Sequence, residues 1–133
     1  MAKPSITFRV DFGPDSAIGP GKIALLEQID RSGSISQAAR DLGMSYRRGW
    51  LLVESLNELF REPVTRASTG GKGGGGVTLT PWGHHVILAY RSFESAVQEK
   101  AAQHFNQLAL RARKSTGRAK VAAKVTMRPR QAA

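Results

Sequence analysis

The sequence contains no cysteine. Disulfide scaffolds, thiolate zinc sites, iron–sulfur clusters and cysteine nucleophiles are therefore excluded. Acidic residues are scarce, 10 against 20 Lys+Arg, so the formal net charge is +10. That balance points to an anionic partner. No apolar run approaches the roughly 20 residues of a membrane-spanning helix. Met1 to Ser5 lead into no apolar stretch, so no secretory signal is expected. Only three histidines occur. His84 and His85 are adjacent, which sets them about 100° apart on a helix, and His104 lies far along the chain. No acid stands at ligand spacing beside them, so no metal site is expected. Gly-x-Ser-x-Gly and paired-carboxylate motifs are missing as well, and no enzyme is expected. What is present is 133 residues, 41% of them hydrophobic, enough for one small domain with its own core.

The charge is unevenly spread. Arg111, Arg113, Lys114, Arg118, Lys120, Lys124, Arg128 and Arg130 crowd the last 26 residues, which hold no acid. The rest of the chain is close to neutral. A stretch this basic, without aromatic residues, buries too little surface to offset its ordering entropy. Residues 1–110 are thus read as the folded domain and 111–133 as a disordered basic tail. The tail fits a non-specific nucleic-acid arm. A solvated tail that only aids solubility is the plainer alternative.

Within the domain the hydrophobic period changes several times. Ile6, Phe8, Val10 and Phe12 alternate with Thr7, Arg9 and Asp11, as in a half-buried strand over 5–12. Gly13-Pro14-Asp15 and Gly19-Pro20-Gly21 predict a loop. Ile23, Leu26 and Ile29 then recur at helical spacing until Gly33. Ser34 and Ser36 are candidate caps of a second helix, with Gln37 placed as in a capping box. Gly43 ends that helix, Ser45 caps a third, and Pro63 closes it near Phe60. Val64–Ala67 and Val77–Thr80 predict a β-hairpin around a glycine-rich tip. Thr80-Pro81 opens a last helix to about residue 107. Along it Trp82, Val86, Tyr90, Phe93, Val97 and Phe105 share one apolar seam. The fold class is mainly α with a small β-hairpin.

Two helices joined at Gly43, from Ser36 to Phe60, match a helix-turn-helix, followed here by the hairpin as a wing. Close crossing of the helices requires small residues, which Ala38 and Ala39 supply. At about 100° per residue, Gly49, Val53, Leu56 and Phe60 fall on one side of the third helix. Arg47, Leu51, Glu54 and Glu58 fall opposite, with Arg48 at the edge. Arginine bonds guanine O6 and N7 in the major groove, and Leu51 suits a thymine methyl. Ser45 and the free amides beside it suit a phosphate. Ser34, Ser36 and Gln37 are further candidate DNA contacts. The glycine run Gly70–Gly76 lacks the Gly-Lys-Ser/Thr ending of a nucleotide loop and joins two strands. It reads better as a wing tip, with Arg66, Thr69 and Lys72 facing phosphates.

Residues 22–94 resemble the N-terminal winged-helix domain of ModE-type molybdate-responsive regulators, whose fold relatives are the LysR-type DNA-binding domains. The resemblance is carried by Ser32-Gly33-Ser34-Ile35-Ser36-Gln37-Ala38-Ala39, by Gly43-Met44-Ser45-Tyr46-Arg47-Arg48-Gly49-Trp50, and by Val53-Glu54-Ser55-Leu56-Asn57. The wing run Gly70–Gly76 with Leu79-Thr80 is its most specific part. It implies a homodimer on double-stranded palindromic DNA, joined through its first and last helices, with Ser45, Tyr46, Arg47 and Arg48 as recognition-helix contacts and Thr69 and Lys72 as wing contacts; the composition adds the expectation of a cytoplasmic, nucleoid-associated protein. The dimer contacts would then be Ile23, Leu26, Trp82, Val86, Tyr90, Phe93, Val97 and Phe105. Packing of that seam within one subunit is the alternative. Gly49 stands where the family pattern suggests Ala, which should loosen the helix by roughly 1 kcal/mol. The family's C-terminal oxyanion-binding domains have no counterpart after residue 107. Direct molybdate binding is therefore not expected, and no cofactor is assigned; sensing would need a separate subunit. The leading expectation is a sequence-specific dimeric regulator. The runner-up is a nucleoid-type architectural protein driven by the basic tail.

Overall fold

The computed structural model describes residues 4–68 and 76–113. In chain order the elements are β1 (Val10–Gly13), β2 (Ser16–Ile18), α1 (Pro20–Ser32) and α2 (Ile35–Asp41). They continue with α3 (Tyr46–Leu59), β3 (Thr65–Ser68), β4 (Gly76–Leu79) and α4 (Pro81–Arg111). The architecture is mainly helical, as expected, but the described residues form two antiparallel hairpins rather than one.

The extra hairpin corrects the reading of the N-terminus. Only Val10–Gly13 of the expected strand is paired, with Val10 opposite Ile18 and Asp11 opposite Ala17. Ser16–Ile18 had the look of loop because glycine and proline flank it on both sides. Asp15 makes the turn with φ of 59°. Residues 5–9 do alternate between half-buried and exposed, yet they join no ladder. They lie along α4 instead. The Tyr90 hydroxyl donates to the Phe8 carbonyl at 2.9 Å, and Gln98 Nε2 donates to the Ile6 carbonyl at 3.0 Å. The Phe8 ring stacks on Tyr90 at 4.7 Å and meets Phe93 edge-on at 5.2 Å. Phe12, expected on the buried side, is 55% exposed.

Helix α1 begins with Pro20 at its first turn and stops at Gly33, whose φ of 71° suits glycine. Ile23, Leu25, Leu26 and Ile29 are fully buried on it. Ser34, not Ser36, caps α2 by accepting from the Gln37 amide at 3.1 Å. Gln37 does not complete a capping box; its side chain donates to Asp41 at 2.8 Å. Gly43, with φ of 70°, turns the chain, and the Met44 amide returns to the Ala39 carbonyl. The core joins these helices to Val53 and Leu56 of α3, Val64, Leu79, Val86 and Tyr90. Burying a Leu or Ile side chain contributes about 1.5–3 kcal/mol each, so this cluster supplies much of the driving force.

Helix α4 runs to Arg111, beyond the expected end near residue 107. At 1.5 Å per residue its 31 residues span about 46 Å. Arg91 fastens it to α1, with Nη2 2.6 Å from Glu27 Oε1 and Nε 3.1 Å from Glu27 Oε2. Arg91 also donates to Glu94 at 2.7 Å. The hydrogen bonds and charge of Arg91 hold the Glu27 carboxyl below its ordinary range despite some desolvation. Its contribution to stability is therefore complete above the ordinary carboxylate range and is lost as pH falls through the folded value. No helix among the described residues is long and apolar enough to cross a membrane.

The apolar seam divides. Ile23 and Leu26, 0% exposed, and Val86 and Tyr90, at 4% and 3%, belong to the chain's own core. They have no free surface for a second subunit, which corrects their reading as dimer contacts. Helical spacing alone does not distinguish a core seam from an interface seam. Trp82 is half-buried, edge-on to Phe60 and stacked on His85. Val97 is half-buried, whereas Phe93 and Phe105 are 54% and 47% exposed.

The start of α4 has no tolerance for a side chain at Gly83. A Cβ there would overlap the Val64 carbonyl oxygen, a backbone atom that cannot swing aside. Gly83→Ala is expected to cost about 3 kcal/mol, at the upper end of overpacking effects. Urea unfolding of wild type and variant, compared by midpoint at constant slope, checks this.

Candidate nucleic-acid interface

The site is built on α3, and its geometry begins with how that helix is held. Ser45 caps it, its Oγ accepting from the Arg48 amide at 3.1 Å. Gly49 is buried against α2. A Cβ on Gly49 would stand 3.1 Å from Ala39 Cβ and 3.5 Å from Ile35 Cγ2. The glycine expected to loosen the helix is thus also what lets α2 and α3 approach so closely. Val53 and Leu56 continue the buried face, as the helical wheel predicts.

Outside that buried stripe, the first two turns of α3 are open. Arg47 and Arg48 are exposed, and Tyr46, Trp50 and Leu51 are 56%, 44% and 49% exposed. Three large apolar groups and two guanidinium groups therefore share the first two turns of one helix. Arginines interleaved with aromatic rings suit base edges, sugars and phosphates together.

The C-terminal part of α3 is clamped to the second hairpin by Asn57. Its Oδ1 accepts from the amides of Val64 at 2.9 Å and Thr65 at 3.1 Å. Its Nδ2 donates to Thr65 Oγ1 at 3.0 Å. Val64 and Thr65 are both buried, so these amides have no water to turn to. From there β3 and β4 pair in register, Thr65 opposite Leu79 through Ser68 opposite Gly76. The Val77 amide also donates to the Gly33 carbonyl at 2.9 Å, which docks β4 on the turn between α1 and α2. Thr80 closes the frame. It donates to the Pro63 carbonyl at 2.7 Å and accepts from the Gly83 amide at 3.0 Å.

These bonds bring several expected residues together. Ser34, Ser36 and Tyr46 line one open cleft of about 260 Å³ with Ile35 and Val77. Gln37 is exposed on the first turn of α2, and Arg66 is exposed on β3. Thr69 and Lys72 lie outside the described residues. Two residues carry more than the sequence reading gave them. Asn57 appeared only within the run Val53–Asn57 of the family resemblance, since its partners are mainly backbone amides that no residue pattern reveals. Trp50 entered only through the family resemblance, although a bulky ring at the edge of the helical wheel was the available signal. The histidines stand apart: His84 is 3.6 Å from Asp30, and His85 lies against Trp82.

The arrangement defines a small helical domain that presents a basic and aromatic helix face beside an anchored hairpin. Among known proteins, it is similar to molybdenum-pterin-binding protein MopB of Rhodobacter capsulatus, 48% identical over 80 residues. That match covers 60% of this chain and 30% of MopB. It is 43% identical over 82 residues to the DNA-binding transcriptional dual regulator ModE of Escherichia coli (strain K12), covering 62% and 31%. The molybdenum transport protein ModE of Azotobacter vinelandii is 33% identical over 102 residues, covering 74% and 38%. No family model matches the chain. The resemblance to ModE-type regulators therefore holds over about 60% of the chain. The chain spans roughly a third of the length of these relatives.

Replacing Asn57 by Ala should leave two buried amides unpaired. The expected cost is about 1–3 kcal/mol, with hydrogen exchange accelerating first at Val64 and Thr65. Exchange rates measured residue by residue check this; a uniform change across the chain contradicts it.

Proposed function

We propose that this protein is a sequence-specific DNA-binding transcriptional regulator. The observation that carries this reading is the start of α3, where Tyr46, Arg47, Arg48, Trp50 and Leu51 stand exposed on a helix anchored through Gly49, Val53 and Leu56. In this reading α2 and α3 form the helix-turn-helix, α3 enters the major groove, and β3–β4 is the wing on the flanking backbone. Ser45 and Tyr46 meet phosphates at the start of α3. Ser34, Ser36 and Gln37 do so from α2, and Arg66 with Thr69 and Lys72 from the wing. The name of the Escherichia coli relative, a DNA-binding transcriptional regulator, supports the same reading. So does the excess of basic over acidic residues.

The protein acts as a homodimer on an inverted repeat. Support comes from α4, where Leu88, Phe93, Phe105, Leu108 and Leu110 are 47–63% exposed. These residues, with half-buried Val97, replace the buried members of the expected seam. A second reading, an architectural protein that coats any duplex, is favoured by the eight basic residues after position 110. Selection of duplexes from a random pool by the full chain separates the two. Enrichment of one inverted repeat supports the regulator, and a bound pool with no enriched sequence supports the coating protein.

Arg47→Ala should weaken binding to the selected repeat by about 1–3 kcal/mol and leave unrelated duplexes nearly unaffected. Fluorescence anisotropy titrations at fixed salt read both. Leu108→Glu, on the exposed end of α4, should shift the chain from dimer to monomer at micromolar concentration in sedimentation equilibrium, with its helical content unchanged.

A further inference from the structure

Trp50 has a place in the fold that the general reading of α3 leaves unused. It lies at i+4 from Tyr46 and seven positions before Asn57, so the three share one side of the helix. Tyr46 borders a cleft with Val77 of β4, and Asn57 bonds the first residue of β3. The side they share is therefore the one turned toward the second hairpin. Trp50 sits between these two anchors. Its ring is 44% exposed, and among the described residues it makes no ring stack and no cation–π contact. The other tryptophan, Trp82, is packed between Phe60 and His85. Leu51, 100° further round, points more squarely away from the core.

We propose that Trp50 is a specificity-determining residue whose indole packs on the 5-methyl group of a thymine, at the part of the major groove nearest the wing. The proposal rests on the DNA-binding reading of α3. Duplex DNA is the occupant that the surroundings favour. Arg47 is exposed three residues before Trp50, and Arg66 is exposed on the hairpin that this side of α3 faces, so the surroundings attract a polyanion. Thymine differs from cytosine in the major groove by a methyl group and a reversed hydrogen-bonding group, and a flat apolar ring suits the methyl. Leu51 can take a second methyl nearer the middle of the helix face. The two side chains then read different base pairs, and Arg47 reads a guanine edge between them.

The test uses the full chain and the inverted repeat obtained from the random pool. Each thymine is replaced in turn by deoxyuridine, which removes only the methyl group. Wild type is expected to lose about 3–5-fold in affinity at one thymine per half-site, the size of one buried methyl. Trp50→Ala should show no penalty at that thymine and keep every other penalty. Leu51→Ala should keep it. Trp50→Phe, which retains an apolar ring, should retain part of it. In a Trp82→Phe background the remaining tryptophan emission should change on adding the repeat. Wild-type indifference to every deoxyuridine overturns the proposal, as does a Trp50→Ala profile identical to wild type. Identical profiles with lost binding to a cellular protein would assign the ring to a protein partner instead. Failure to select any repeat removes the DNA-reading function and this inference with it; a selected repeat without the Trp50-dependent penalty removes this inference alone.

Discussion

Asn57 commits both ends of its side-chain amide to the start of the second hairpin, and the geometry of the site follows from that commitment. Two acceptor bonds and one donor bond tie the last turns of α3 to Val64 and Thr65. They are the side-chain bonds that tie α3 itself to the hairpin. With them, the angle between helix and hairpin is set by an amide whose oxygen accepts twice and whose nitrogen donates once to the same two residues. The Val77 amide on the Gly33 carbonyl and the Thr80 side chain on the Pro63 carbonyl close the frame from the other strand. Each bond is modest alone, about 0.5–1.5 kcal/mol. Together they hold a helix face and a hairpin in one rigid relation, which is what reading a duplex in two places requires.

The same frame accounts for two glycines. Gly49 removes the side chain that would separate α3 from α2, and Gly83 removes the one that would collide with the Val64 carbonyl. One sets the depth of the exposed face, and the other lets α4 start directly beneath the hairpin. Helix propensity argues against both positions, since glycine costs about 1 kcal/mol relative to alanine. Close packing outweighs that cost at Gly83, where the neighbour is a backbone carbonyl; at Gly49 an added Cβ would need Ala39 to yield by a few tenths of an ångström.

Much of this was legible in the sequence where the signal is local. The helix starts at Ser34, Ser45 and Thr80 follow from side chains that accept amide hydrogens three residues on. The stops at Gly33 and Gly43 follow from backbone angles that glycine tolerates. The exposed position of Arg47 and the burial of Val53 follow from the helical period. What local pattern could not supply was the destination of each apolar seam. Ile23 and Val86 look the same to a periodicity argument whether they meet their own chain or another. Residues 5–9 alternate like a strand, yet α4 supplies Tyr90 and Gln98 as partners from more than 80 positions away. The short β2 strand was masked by its flanking glycines and prolines.

The central claim is that α3 and the hairpin, not the basic end of the chain, meet DNA in a sequence-dependent way. Amide chemical shifts of the full chain, titrated with the selected duplex, address it directly. The account predicts the largest changes at Tyr46 to Leu51 and at Arg66 on the hairpin, absent when an unrelated duplex is used. Changes confined to residues 108–133, identical for both duplexes, with 46–51 unmoved, would contradict it.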